Sequence, residues 1–437
     1  MIIGVGYDIN QTRIIGVDPQ LSFDVISNEF KKAADESDDN STEEASPIID
    51  KIKLCKQHIV MKFTPMSSDI KSSGFIIASE SVSSVTPARL SNMVLTAIKT
   101  LYMYHFSVCV IVSDGATENN SLFDGLSTFS TENMLPSDLK LKFKDVNFEY
   151  KCVRKHPISH DPIFLIADMP HLVKKIVNAL EMSSLRKSKR NMEFDGCPLN
   201  SKMIQDIWRK TNEGCHHRLM ETKLSEKHFN KDGFSRMNVS LATQLLSSSV
   251  ASMMEAAIKD VNISRHLRLK PWQYRHIINL ARKTDRLVDI CNGRSRNHEK
   301  TGLFTTESGL EMQHDLLEIL EYFSIWNSSL KKKDKSDNCF LPNQTWKSIQ
   351  SLILGLVGCI QLYVIENGES FVPRRTNTDT IEHHFGNSRQ SVGGGNAPTA
   401  MQQRTNDARS SVYNATTGPT KGNNASAPTY DGKRKKY

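Results

Sequence analysis

Three short acidic segments carry the residue types that metal-assisted chemistry needs. The first is Ser113-Asp114-Gly115, which ends the apolar run Val108 to Val112. The second is Asp168-Met169-Pro170-His171, which ends the run Ile163 to Ala167. The third is Asp379-Thr380-Ile381-Glu382, whose two carboxylates stand three residues apart and so share one face of a helix. Carboxylates delivered from different parts of a chain are what two-metal phosphoryl transfer requires, because the ions sit only about 3.5 to 4 Å apart. Each segment also has an ordinary reading. Asp114-Gly115 is a common turn dipeptide, and Asp168 suits the N-cap of a following helix with Pro170 in its first turn. Asp379 with Glu382 matches a capping box. Lys174 shares a helix face with His171 and with Asn178, a face that is either solvated or turned to an anion such as a phosphate.

The elements that position these residues follow from periodicity. The β-branched runs Ile2 to Tyr7 and Arg13 to Val17 flank a turn and predict a hairpin. Strands are expected at His58 to Phe63 and Gly74 to Ser79. Leu90, Met93, Val94, Ala97, Ile98 and Leu101 are spaced for a helix between Pro87 and Tyr104. The runs before Asp114 and Asp168 read as buried strands of an α/β unit, each delivering an aspartate at its C-terminal end, where open α/β sheets place ligands. From about residue 181 to 370 helical spacing dominates, at Val239 to Ile258, Trp272 to Ile290, Ser308 to Ser324 and Thr345 to Ile365. Asp114 and Glu382 can meet only if that helical region loops out between them. After Ser391 the composition turns to Gly, Asn, Ser, Thr and Ala, which predicts disorder. The same holds for the acidic stretch at about 33–48.

Bulk properties narrow the class. A chain of 437 residues with 38% hydrophobic and 24% charged residues has the composition of a globular protein with room for two or three domains. No membrane partner is expected, because the longest apolar run, Ile353 to Val364, is broken by Gly355, Gly358 and Gln361. No secretory signal is apparent, and the eight scattered cysteines predict no disulfide framework. Cys215-His216-His217 is a poor zinc site, since adjacent side chains converge badly on one ion. The net charge of +8 permits a nucleic-acid partner. Its basic runs, at 186–190, 331–335 and 433–436, fit phosphate contact or nuclear import without being specific for either.

With those residues in place, the chain resembles the P-element transposases and their THAP-type relatives over nearly all of residues 1–395. The matching stretches are Gly4 to Asp8 with Arg13 to Gly16, Ser113 to Asn119, Asp168 to Asn178, Met237 to Ser247, and Thr376 to Phe385 followed by Gly393 to Asn396 and Pro398-Thr399. Each is short; five in the same order are specific.

The resemblance implies an α/β fold, an RNase H-like mixed sheet flanked by helices and interrupted by a large, mainly α-helical insertion. The corresponding organisation is an RNase H-like domain at 1–180 lacking its first strand, a GTP-binding-type insertion at 181–370, a returning catalytic helix at 371–395, and a disordered basic tail at 396–437. It also implies a DDE-type site using Mg²⁺, with Asp114 and Glu382 as catalytic and metal-binding carboxylates. GTP is the implied cofactor, with Lys174, Asn178 and Asp379 as the positions to test. The partners implied are double-stranded DNA at transposon ends and further copies of the chain, in the nucleus. The family's first catalytic aspartate would precede Met1, and Asp8 and Asp18 are misplaced as substitutes. The expectation is therefore a transposase core that does not cut or join DNA by itself, the alternative being a domesticated or decayed relative that binds nucleotide, DNA or its own copies without catalysis.

Overall fold

The computed structural model describes residues 2–7, 57–67, 74–185, 188–213, 221–230, 238–293, 303–333, 335, 337–390, 402–403 and 405–409. The fold is mixed α/β, and the chain divides into two compact units. The first is Met1–Leu126, His156–Ile163 and Thr378–Tyr437; the second is Ser127–Lys155 and Phe164–Asn377. The expected second strand of the N-terminal hairpin, the acidic stretch, Asp8, Asp18, Cys215 to His217 and the last basic run lie outside the described residues.

In the first unit, β1 (Ile2–Tyr7), β2 (Gln57–Thr64), β3 (Phe75–Val82) and β4 (Val110–Ser113) are ordered β3-β2-β1-β4. β1 runs antiparallel to β2 and parallel to β4, and β2 runs antiparallel to β3. β2 is buried on both faces, with Ile59, Val60 and Met61 at 0% exposure, which is why its centre is apolar at successive positions rather than alternating. Between β3 and β4 comes α1 (Pro87–Met103), which starts where the Thr86 side chain accepts from the Arg89 N–H and Pro87 takes the first turn. Its Leu90, Val94, Ile98 and Leu101 form the buried stripe. After β4 the chain enters α2 (Thr117–Leu126).

The second unit holds the short β5 (Phe129–Ser130), α3 (Ser137–Lys142), β6 (Lys151–Lys155) and most of β7 (Pro162–Ala167), in the order β7-β6-β5. α4 (Met169–Ser184) follows, then a hairpin of β8 (Glu193–Phe194) and β9 (Cys197–Pro198). The rest is helical: α5 (Ser201–Glu213), α6 (Val239–Leu245), α7 (Ser248–Lys259), α8 (Val261–Leu267), α9 (Pro271–Cys291), α10 (Thr306–Lys332) and α11 (Asn343–Cys359). The helix expected over Val239 to Ile258 is two helices, because the Ser247 side chain caps a new N-terminus at Val250. α11 continues as a π-helix from Ile360 to Glu366.

Asn343–Glu366 is, among the described residues, one helix long and apolar enough to cross a membrane by length and composition. The expectation that no run approaches that length needs correction, since glycines do not interrupt a helix whose backbone they let approach its neighbour. A Cβ at Gly355 would stand 2.7 Å from Ile166, and one at Gly358 would stand 2.4 Å from the Phe164 ring. With 83% of its apolar window buried, this is the core helix of the second unit, packed against β7. The six described cysteines are all buried, and none of them forms a disulfide.

The chain returns to the first unit as α12 (Asp379–Gln390), which packs against β1. Its first turn corrects the capping-box reading. The Glu382 N–H donates to the Thr378 carbonyl at 3.1 Å, so Thr378 holds the cap position and Asp379 is already the first helical residue. The expected disorder after Ser391 is also overturned where the structure describes the chain. Residues 402–403 and 405–409 are helical, with Gln403 at 0% and Asp407 at 6% exposure. Composition misled there because this segment is held by buried hydrogen bonds rather than apolar spacing.

Candidate functional site

Asp114 follows the last residue of β4. Its Oδ1 accepts from the Ala116 N–H at 3.0 Å and from Asn119 Nδ2 at 2.7 Å, so the turn reading is correct as local geometry. Asn119 is completely buried on α2 and fixes the carboxylate from the side. Gly115 is not among the glycines with positive φ, so the turn does not need glycine for a left-handed backbone.

Helix α12, which carries Glu382, covers the sheet at Val60 through Ile381 and Phe385. Val112 pairs with Gly4 and Gly4 with Lys62, so these three positions share a face. Asp114 is the first residue after β4. Ser113 is level with Val5, and the next residue of β1, Gly6, is the partner of Val60. Val60 packs against Ile381 and Phe385 of α12. Glu382 is exposed, and Asp379 half-buried, on the first turn of α12. Among the described residues no group of three or more His, Cys, Asp or Glu side chains forms a metal cage. Asp114 and Glu382 offer the donor type of a hard cation such as Mg²⁺, which is commonly held by one or two carboxylates together with substrate phosphates; a pair of ions asks for more donors.

The second unit carries the other expected positions. Asp168 caps α4, accepting from the His171 N–H at 3.2 Å and meeting His171 Nδ1 at 2.6 Å. The N-cap reading of Asp168 therefore holds, and His171 adds a side-chain contact that spacing alone did not specify. Lys174 is half-buried and Asn178 exposed, one turn apart on α4. Asp379 belongs to the first unit and is taken separately. Of the basic run at 331–335, Lys333 meets Asp195 at 3.5 Å and Lys335 meets Glu193 at 3.4 Å, so part of that run is paired within its own unit rather than bare.

Two features carried no sequence signal. Lys62 is 5% exposed on the β2 face that also bears Val60, and burial pushes its amine down to about 8. Asp407 joins His58 and His384: His58 Nε2 lies 3.1 Å from Oδ2 and His384 Nε2 lies 2.6 Å from Oδ1. Burial by itself would raise the Asp407 carboxyl, but the hydrogen bonds from His384, His58 and Ser79 outweigh it and hold it well below the usual carboxylate range. Neither feature shows in one dimension, because the partners come from distant segments and are not at any motif spacing.

A mixed α/β sheet unit and a helix-rich unit with a carboxylate-bearing helix returning to the sheet define the class. Residues 170–303 match the family described as TNP-like, GTP-binding insertion domain. The Transposable element P transposase of Drosophila melanogaster is 25% identical over 326 residues, covering 72% of this chain and 36% of that protein. The chain thus spans about a third of the length of that curated relative. The solved structure described as the Drosophila P element transposase strand transfer complex shares the fold with a TM-score of 0.64 at 19% identity, covering 95% of this chain and 77% of that one. The chain is P-element-transposase-like.

Proposed function

We propose that this chain is the core of a P-element-like DNA transposase, with an RNase H-like sheet in which Asp114 and Glu382 are the metal-binding carboxylates. The observation that carries the reading is the return of α12, which bears Glu382, to the sheet whose strand β4 leads into Asp114. The order β3-β2-β1-β4, with β1 parallel to β4, supports the RNase H-like assignment. Mg²⁺ would stabilise developing charge on a transferring phosphoryl group. Asn119 keeps Asp114 in place by bonding one oxygen, so that the other would be the one to hold the ion. Double-stranded DNA at transposon ends is the proposed substrate, the nucleus the proposed compartment, and further copies of the chain the proposed partners. The match over 170–303 supports GTP as ligand of the helical unit, with Lys174 and Asn178 proposed as contacts; Asp379 belongs to the other unit and lies outside that match.

Two described carboxylates are a thin donor set for strand transfer, which favours a second reading: a transposase-derived protein that binds DNA or nucleotide without catalysis. Cleavage of terminal-repeat DNA in Mg²⁺ by the purified chain separates the two. On the first reading any cleavage falls by at least about a hundredfold in Asp114→Asn and in Glu382→Gln, a loss of about 2.7 kcal/mol in transition-state stabilisation. DNA binding with no metal-dependent product establishes the second. Cleavage unchanged in both variants removes the assignment of these carboxylates.

A further inference from the structure

The buried carboxylate of Asp407 bridges two elements with its two oxygens. Oδ1 faces α12, where His384 Nε2 lies at 2.6 Å, and also accepts from Gln403 at 2.9 Å. Oδ2 faces the sheet, where it meets His58 of β2 at 3.1 Å and accepts from the Ser79 hydroxyl of β3. His58 is in turn fixed by Ser81 at 2.9 Å, and Gln403 donates to Ser388 of α12 at 3.1 Å. His58, Ser79 and Ser81 lie in register, His58 opposite Ser81 and Val60 opposite Ser79, on the sheet face that α12 covers.

The apolar part of the α12 contact is Ile381 and Phe385 against Val60. Such contacts are non-directional and set neither the rotation nor the axial position of a helix closely. Hydrogen bonds to a charged, buried acceptor do both, because they are short and angular. His384 stands two residues from Glu382 on the same short helix, so whatever fixes the His384 ring fixes where Glu382 projects.

We propose that Asp407 is a positioning residue for Glu382: its carboxylate braces α12 to β2 and β3 and so sets the placement of the metal-binding carboxylate from a segment outside the helix. The proposal rests on the reading of Glu382 as a metal ligand. It assigns the stretch 402–409 a part in assembling the site.

The test is titration of the full-length protein with Mn²⁺ as the probe, followed by calorimetry and by the electron-paramagnetic-resonance signal of the bound ion. Glu382→Gln is expected to remove the binding event. Asp407→Asn, nearly isosteric, is expected to weaken Mn²⁺ affinity by about tenfold or more, the usual effect of losing a group that orients a ligand, and to broaden the resonance while far-ultraviolet circular dichroism stays unchanged. Should Asp407→Asn fail to fold, His384→Gln removes only the helix side of the brace and is expected to give the same loss. Wild-type affinity in a folded Asp407→Asn or His384→Gln protein, with binding lost in Glu382→Gln, overturns the brace and leaves the ligand assignment intact. Wild-type affinity in Glu382→Gln overturns the ligand assignment itself.

Discussion

A lysine held at 5% exposure with no ion pair among the described residues opposes folding at neutral pH, and Lys62 is such a residue. Its folded pKa of about 8 lies below its unfolded value of 10.5, so the unfolded state binds more protons between those values. Stability therefore rises with pH through that window, and below about pH 8 the full penalty applies. The shift corresponds to about 3 kcal/mol. Lys62→Met is expected to raise the melting temperature at pH 7, with the advantage over wild type shrinking between pH 8 and 10.5. An equal advantage at pH 7 and pH 10.5 would show that apolar packing, not desolvation, sets the effect. Legibility varied among single residues. Asp114 and Glu382 were readable because a carboxylate after an apolar run, or on the first turn of a helix, has a local signature. The metal-binding reading itself rests on the transposase likeness. Asp407 had no such signature, since its two histidine partners stand in β2 and α12 and its own surroundings are Asn, Thr and Ala.

At the scale of elements, strand and helix placement was legible wherever burial imposes a period. β2, β4, β7, α1 and α9 all fall within a few residues of where apolar spacing put them. What the period does not encode is a change of helix type. The reading of Thr345 to Ile365 as a helix located α11 but not its passage into π geometry at Ile360, where Gln361 accepts from Gln313 at 3.3 Å and donates to Glu366 at 2.9 Å. Nor does it distinguish glycines that weaken a helix from glycines that let it approach a strand. Gly358 is of the second kind: an added Cβ would stand 2.4 Å from Phe164 and 2.9 Å from Thr131. Gly358→Ala is expected to cost about 1–3 kcal/mol, the usual effect of overpacking, in a denaturant titration of the intact chain. Gly125, in α2 with nothing within 4 Å of its Cβ position, is the control. There alanine is expected to be neutral or to stabilise by about 0.5–1 kcal/mol. Equal effects at the two glycines would mean that α11 and β7 do not pack as closely as the structure has them.

At the scale of the whole molecule, the chain passes back and forth between two units. The family match at 170–303 falls inside the one that carries α4 to α11. A nucleotide bound by that unit stabilises the native state in proportion to RT ln(1 + [L]/Kd), about 2.7 kcal/mol when ligand is at a hundred times Kd. For a unit of this size that is a rise of roughly 5–10 °C in its melting temperature. GTP is expected to produce such a rise in the intact protein, and ATP at the same concentration a smaller one. Lys174→Ala removes a cation one turn into α4, beside the Asp168–His171 cap. It is expected to abolish most of the GTP-dependent rise while leaving the melting temperature without nucleotide nearly unchanged, because Lys174 is half-buried and makes no ion pair among the described residues. Asn178→Ala is expected to reduce the rise, and Asp379→Ala, in the other unit, reports by itself whether α12 contributes. If GTP gives no shift in the wild-type protein, the helical unit does not bind the nucleotide under those conditions and the Lys174 assignment falls with it. If GTP shifts wild type and Lys174→Ala alike, the unit binds GTP through residues other than those on this face of α4.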